Sequence, residues 1–348
     1  MKRKKPLLRK GVVTSMYYSP ILPNEVANRF YTGDRFLFIM HRRPDGDAVG
    51  SAAALMHILR AMGKTVFGVC EDKIPTRLAF LTEGLDIRTT LPEGPFLPVA
   101  IDVAAPEQLG KVADMLKEAG ASVFMMIDHH AVGTPFAPYL TVPSAAAAGE
   151  VVFSVAEVFL KKKRLPDLPA EAKMALYAAL SSDTGCFRYS NVTPNTLRTA
   201  AALLENNAVD AAEVNRLLFE TKSPEQLRAE AFAIEHTKAS PDGKLAFVAI
   251  TMADKKAMGV EEEHLETVID VVRSRAGVEI AVSIRELPDG RYKASFRSSG
   301  FNVADVAAAF GGGGHLRAAG CTLEAPSAQA AVESVLSEIE KQKSGEKV

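Results

Sequence analysis

Residues 36–40 (FLFIM) run directly into residues 41–51 (HRRPDGDAVGS). An unbroken apolar run of this length reads as a strand buried on both faces, the kind a parallel sheet contains. The polar stretch that follows falls at the carboxyl end of that strand, where open α/β sheets bind their ligands. Gly50 and Ser51 let a helix begin close by, expected over 51–62. Outward from this point the alternation recurs. Apolar runs at 65–70, 98–103 and 122–127 read as further buried strands, and 106–119 as a helix between them. Strands alternating with helices predict a parallel sheet with helices on both faces.

From residue 150 the pattern turns helical, over 150–160, 171–182, 194–206 and 211–219. Thr193 and Pro194 form an N-cap and first-turn pair, Asp210 with Glu213 resembles a capping box, and Ser223-Pro224-Glu225 opens another helix. Beyond residue 242, strands are expected at 245–252, 278–286 and 291–299, with Pro288-Asp289-Gly290 turning the last two into a hairpin. An amphipathic helix begins at residue 325. The predicted fold class is α/β: a tail and lead-in over 1–34, a parallel-sheet domain over 35–220, a helical linker over 221–240, and a smaller mixed α/β domain over 241–340.

Composition narrows the function. The 348 residues suit two domains. A net charge of −1 creates no global field toward nucleic acid, so any nucleotide site must be a local patch. Cys70, Cys186 and Cys321 are far apart, match no zinc or redox spacing, and read as small buried hydrophobes in a reducing cytoplasm. No apolar run reaches the length of a membrane span. The basic start, MKRKKPLLRK, lacks a signal peptide's apolar segment and reads as a tail.

Four segments of the first domain deliver Asp or His at an element end. His41, Asp45 and Asp47 follow the first strand, although an Asp-Gly turn with Asp47 at a helix start would explain the last two equally well. Asp102 ends the run 98–103 and, taken alone, reads as a cap for the helix after Pro106. Asp128-His129-His130 emerge together from an apolar strand, which points to a metal or phosphate site. Asp183 stands at a helix C-terminus, where the macrodipole disfavours it. Together they resemble the ligand set of two divalent ions. Mixed carboxylates and imidazoles suit Mn²⁺, Fe²⁺, Co²⁺ or Zn²⁺, whereas Mg²⁺ usually takes carboxylates and water. Two ions about 3.5–4 Å apart activate water and clamp phosphoryl oxygens.

A fifth cluster lies in the second domain. Gly311–Gly314 precede His315, and Arg317-Ala-Ala-Gly320 follow. Four glycines let backbone approach a ligand closely and turn N–H groups toward a phosphate. In the strand 291–299, Tyr292, Ala294 and Phe296 share one face, while Arg291, Lys293, Ser295 and Arg297 share the other. A solvated outer face competes for Arg291 and Lys293, less so for Arg297, which lies beside Ser298 on the approach to the glycines.

These motifs resemble those of the DHH-superfamily phosphoesterases, and GGGGHLRAAG resembles the signature of the DHH-associated C-terminal domain. Order and spacing are similar to the bacterial oligoribonucleases that also act as pAp phosphatases, the NrnA type, from residue 35 to 325. The resemblance implies that His41, Asp45 and Asp102 hold one ion. Asp47, Asp102, His129 and Asp183 hold the other, with Asp102 bridging. Mn²⁺ is the usual ion, with Mg²⁺ or Co²⁺ as alternatives. His130 then contacts the scissile phosphate, and Asp128 is expected to orient His129 or the bridging water. Arg297, Ser298, Gly313, Gly314 and His315 bind the far end of the nucleotide. Short RNA and pAp are the implied substrates, in a cleft between two lobes that favours very short chains; a homodimer stays open. Competing readings are a phosphodiesterase for cyclic di-AMP or pApA, a polyphosphate or pyrophosphate hydrolase, and an inactive nucleotide-binding protein.

Overall fold

In a computed structural model of the chain, the described residues are 18–345, apart from the side chain of His315. The basic stretch 1–10 lies outside them. The chain divides into two compact units after Thr221.

The first unit begins with helix α1 (Pro23–Thr32) inside the segment read as a lead-in. Pro23 starts it, and Val26, Ala27 and Phe30 are fully buried along one face. Phe30 packs edge-on against Phe36 at 5.2 Å between ring centres. Strand β1 (Arg35–Ile39) follows, then helix α2 (Gly46–Ala61), β2 (Thr65–Val69), β3 (Ile87–Arg88) and β4 (Leu97–Ile101). The expected helix at 106–119 is broken at Gly110, whose φ is +55°, into a 3₁₀ turn and helix α3 (Lys111–Glu118). Next come β5 (Met125–Asp128), β6 (Tyr139–Thr141), and helices α4 (Ala148–Lys161), α5 (Ala170–Asp183), α6 (Pro194–Leu204) and α7 (Ala211–Asn215).

The sheet is six-stranded and parallel, in the order β3-β2-β1-β4-β5-β6. Its alternate faces carry separate cores. Phe36, Phe38, Ile101 and Ile127 meet α1, α2, α4 and α5, whereas Leu37, Ile39, Ala100 and Met126 meet Val112 and Leu116 of α3. The strand order reverses between β1 and β4. That switch point opens a crevice at the carboxyl ends of the two strands.

The second unit opens with helix α8 (Pro224–His236), capped by Ser223 and placed here rather than in a linker. It continues through β7 (Lys238–Ala239), β8 (Leu245–Ile250), α9 (Met252–Met258), α10 (Val268–Ser274), β9 (Ile280–Glu286), β10 (Tyr292–Ser298), α11 (Val303–Ala309), β11 (Gly313–His315), β12 (Ala318–Leu323) and α12 (Ala328–Lys343). Strand β8 stops at Ile250 because the Thr251 hydroxyl caps α9. The mixed sheet runs β11-β12-β10-β9-β8-β7. Strands β9 and β10 form the expected antiparallel hairpin, and β10 buries alternate residues as its pattern requires.

Candidate metal centre

The switch point gathers the Asp and His residues that the sequence singled out in the first unit. His41 follows β1. Asp45 caps α2, its Oδ1 accepting the N–H groups of Asp47 (3.1 Å) and Ala48 (3.0 Å). The helix therefore starts at Gly46, five positions before the expected Ser51. Asp47 then lies in its first turn, fully buried. The Asp47 Oδ1 accepts from Ser51 Oγ (2.9 Å) and from the Gly149 N–H (2.9 Å), and its Oδ2 accepts the Ala148 N–H (2.5 Å). The positive end of α4 thus faces this carboxylate. Asp102 follows β4 in a left-handed conformation, φ +56°, a strained state for a residue with a Cβ. Asp128 closes β5, His129 and His130 follow it, and Asp183 is the last residue of α5.

Close helix packing makes this possible. A Cβ at Gly50 would lie 2.5 Å from the carbonyl oxygen of Ala175, and one at Gly149 would lie 2.6 Å from Ala179 Cβ. Both glycines let α2, α4 and α5 approach until Asp47 and Asp183 face one site.

Two groups of ligand atoms result, each within 4.8 Å: His41, Asp45 and Asp102, and Asp47, His129 and Asp183. His41 Nε2 lies 3.8 Å from Asp45 Oδ1 and 3.6 Å from Asp102 Oδ2. His129 Nε2 lies 3.6 Å from Asp47 Oδ2, 3.6 Å from Asp102 Oδ1 and 3.4 Å from Asp183 Oδ2. These separations exceed hydrogen-bond length but suit donors that each stand about 2.1 Å from a shared ion. The His129 Nδ1–H donates to the carbonyl of Ala145 at 3.3 Å, which leaves the Nε2 lone pair aimed at the carboxylates.

The electrostatics fit a cation-binding site. Asp102 Oδ1 is buried and has no hydrogen-bond partner, a costly state that a metal ion would relieve. Burial, then the neighbouring Asp102 carboxylate, pushes Asp47 up to about 7. Burial and the crowding of Asp47, Asp45 and Asp102 raise Asp183 well above the usual carboxylate range. For His41, burial opposes the charge, yet the carboxylates of Asp102 and Asp45 beside it outweigh that effect and push the imidazole up to about 11.

His130 differs from the other two histidines. Its Nδ1 is 2.7 Å from Asp128 Oδ1 and 3.5 Å from Asp102 Oδ1, so it also falls within a third group with Asp102 and His129. Burial works against its charge, but the hydrogen bond to Asp128 dominates the opposing influences and raises it to about 9. Asp128 therefore holds His130, where the sequence pointed to His129 or a bridging water. The carbonyl of Ala145 does that work for His129. Ser51 was read only as a helix start beside the site, and nothing in the sequence pointed to Glu150 or the backbone of residues 145–149.

In the second unit the glycine run is not a free loop. Gly313 and Gly314 belong to β11, an edge strand whose residues pair with Gly320 and Ala319, while His315 pairs with Ala318. A Cβ at Gly312 would meet the Gly320 carbonyl at 2.3 Å, and one at Gly314, φ +142°, would meet that of Ala318 at 2.5 Å. Close sheet packing thus demands two of the four glycines; Gly313 has open space around it. Arg297 pairs with Ala318 across β10 and β12, which puts it beside the glycine strand. The Ser298 hydroxyl donates to the Phe301 carbonyl and its N–H to that of Arg317, so both donors are engaged within the unit.

Comparison with known proteins identifies the two units. Residues 35–180 match the DHH family, N-terminal domain, and residues 243–342 match the DHHA1 domain. The chain is 33% identical over 306 residues to the bifunctional oligoribonuclease and PAP phosphatase NrnA of Thermus thermophilus, across 85% of this chain and 86% of that protein. It is 28% identical to the Bacillus subtilis protein of the same name, across 83% and 90%. An exopolyphosphatase-related protein from Bacteroides fragilis shares the fold, with a TM-score of 0.81 at 22% identity over 92% of this chain and 96% of that one.

Proposed function

The chain belongs to the DHH family, and on that premise we propose that it is a metal-dependent phosphoesterase for short oligoribonucleotides and for the 3′-phosphate of pAp. The observation that carries this reading is the junction at Asp102, whose two oxygens face His41 on one side and His129 on the other. His41, Asp45 and Asp102 would hold one divalent ion, and Asp47, Asp102, His129 and Asp183 the second. Mn²⁺ is our first choice, with Mg²⁺ or Co²⁺ as alternatives. When bound, such ions supply an activated water and neutralise charge on the phosphoryl oxygens.

The chain's own residues do the rest. His130, charged through its bond to Asp128, presents Nε2 to the scissile phosphate and stabilises charge as the leaving oxygen departs. Asp128 fixes the ring. Arg297, Gly313, Gly314 and His315 contact the nucleotide portion, and Ser298 contributes by bracing the end of β10. Three unpaired cysteines suit work in the cytoplasm. Among the described residues no helix is long and apolar enough to cross a membrane.

The test is a ranking of initial rates with Mn²⁺ on pAp, a diribonucleotide, pApA, cyclic di-AMP and pyrophosphate. The diribonucleotide and pAp should lead. Faster turnover of cyclic di-AMP or pyrophosphate would overturn the assignment.

A further inference from the structure

Residues 145–149 are four alanines and a glycine, with no side-chain chemistry to offer. Their backbone nevertheless touches two of the second ion's four proposed ligands, and reaches a third through Asn191. The carbonyl of Ala145 accepts from His129 Nδ1, and the N–H groups of Ala148 and Gly149 donate to Asp47. The carbonyl of Ala146 accepts from Asn191 Nδ2 (3.0 Å), and the same amide donates to the Asp183 carbonyl (3.1 Å). Three ligands, from the α2, β5 and α5 ends, are thus referred to one short segment.

A buried carboxylate holds that segment. Glu150, only 6% exposed, accepts at Oε2 from the Ala146 N–H (3.1 Å) and from Thr196 Oγ1 (2.8 Å), and at Oε1 from Asn195 Nδ2 (2.6 Å). Its partners Asn195 and Thr196 lie in the first turn of α6. Glu150 therefore clamps residues 145–149 to a second helix. A buried acid costs free energy unless fully hydrogen-bonded, and this one meets that condition with three donors.

We propose that Glu150 is a positioning residue for the second metal ion, acting through the backbone of residues 145–149; the proposal rests on the two-ion reading above. Its carboxylate keeps the Ala145 carbonyl under His129 and the α4 N–H groups on Asp47. Loss of the clamp lets those ligands spread while the first group, His41 with Asp45, keeps its own supports.

Calorimetric titration of the metal-free full-length chain with Mn²⁺ tests this, using wild type, Glu150→Gln and the milder Asn195→Ala. Thermal melts without metal show that each variant is folded. Wild type should take up two ions. In both variants one binding event should weaken, by about 10–100-fold in Glu150→Gln and less in Asn195→Ala, with the other unchanged. A folded Glu150→Gln protein that binds both ions with wild-type affinity, or weakens both equally, overturns the positioning role. A wild type that binds fewer than two ions instead overturns the two-ion reading, and this inference with it.

Discussion

At the scale of single residues, the Asp128–His130 pair is the most exposed to test. The 2.7 Å contact keeps the imidazole charged up to a pH of about 9. Removing the carboxylate charge returns His130 toward its ordinary range, so the cation is lost at lower pH. Asp128→Asn should lower kcat about 10²-fold and move the alkaline limb of the pH–rate profile to lower pH; an unmoved limb would mean that His130 charge is irrelevant. The candidate ligands were legible in the sequence because Asp and His are costly beside an apolar strand without a partner. The partner of Asp128 was not. Two adjacent histidines were equally available, and only the direction in which the chain leaves β5 decides between them. Residues 145–149 were illegible for a simpler reason, since their contribution is made by peptide groups alone.

At the scale of elements, the helix trio α2, α4 and α5 sets the geometry. Gly50→Ala would drive a Cβ against the Ala175 carbonyl at 2.5 Å, a backbone atom that cannot swing away. It should destabilise the protein by about 1–3 kcal/mol, read as a fall in Tm, and should weaken Mn²⁺ binding by moving Asp47. Full stability and metal affinity in that variant would show that the close approach is dispensable. The long buried strands were legible from their unbroken apolar runs, but β3, with two residues, and β6, with three, are too short to show a period. Helix α1 escaped because Val26, Ala27 and Phe30 are scattered among polar residues. The start of α2 was set too late because its glycines, poor helix formers, are there for packing.

At the scale of the whole molecule, a chain of net charge −1 concentrates four carboxylates at one switch point. In the metal-free protein, Asp47 and Asp183 keep protons that the unfolded chain releases at ordinary carboxylate pH. The folded state then binds more protons, so stability falls as pH rises from that range through about 7. Metal binding needs these groups deprotonated and is strongest above that window. Saturating Mn²⁺ should therefore raise Tm more at pH 8 than at pH 5; an equal shift at both would argue against carboxylate ligation. Hydrolysis by two ions meeting at Asp102, as proposed, stands or falls on the rate of phosphate release from pAp in Mn²⁺ by wild type and Asp102→Asn. The arrangement predicts a loss of about 10³-fold or more in kcat/KM, with the variant still folded. An Asp102→Asn protein that releases phosphate at the wild-type rate would contradict it.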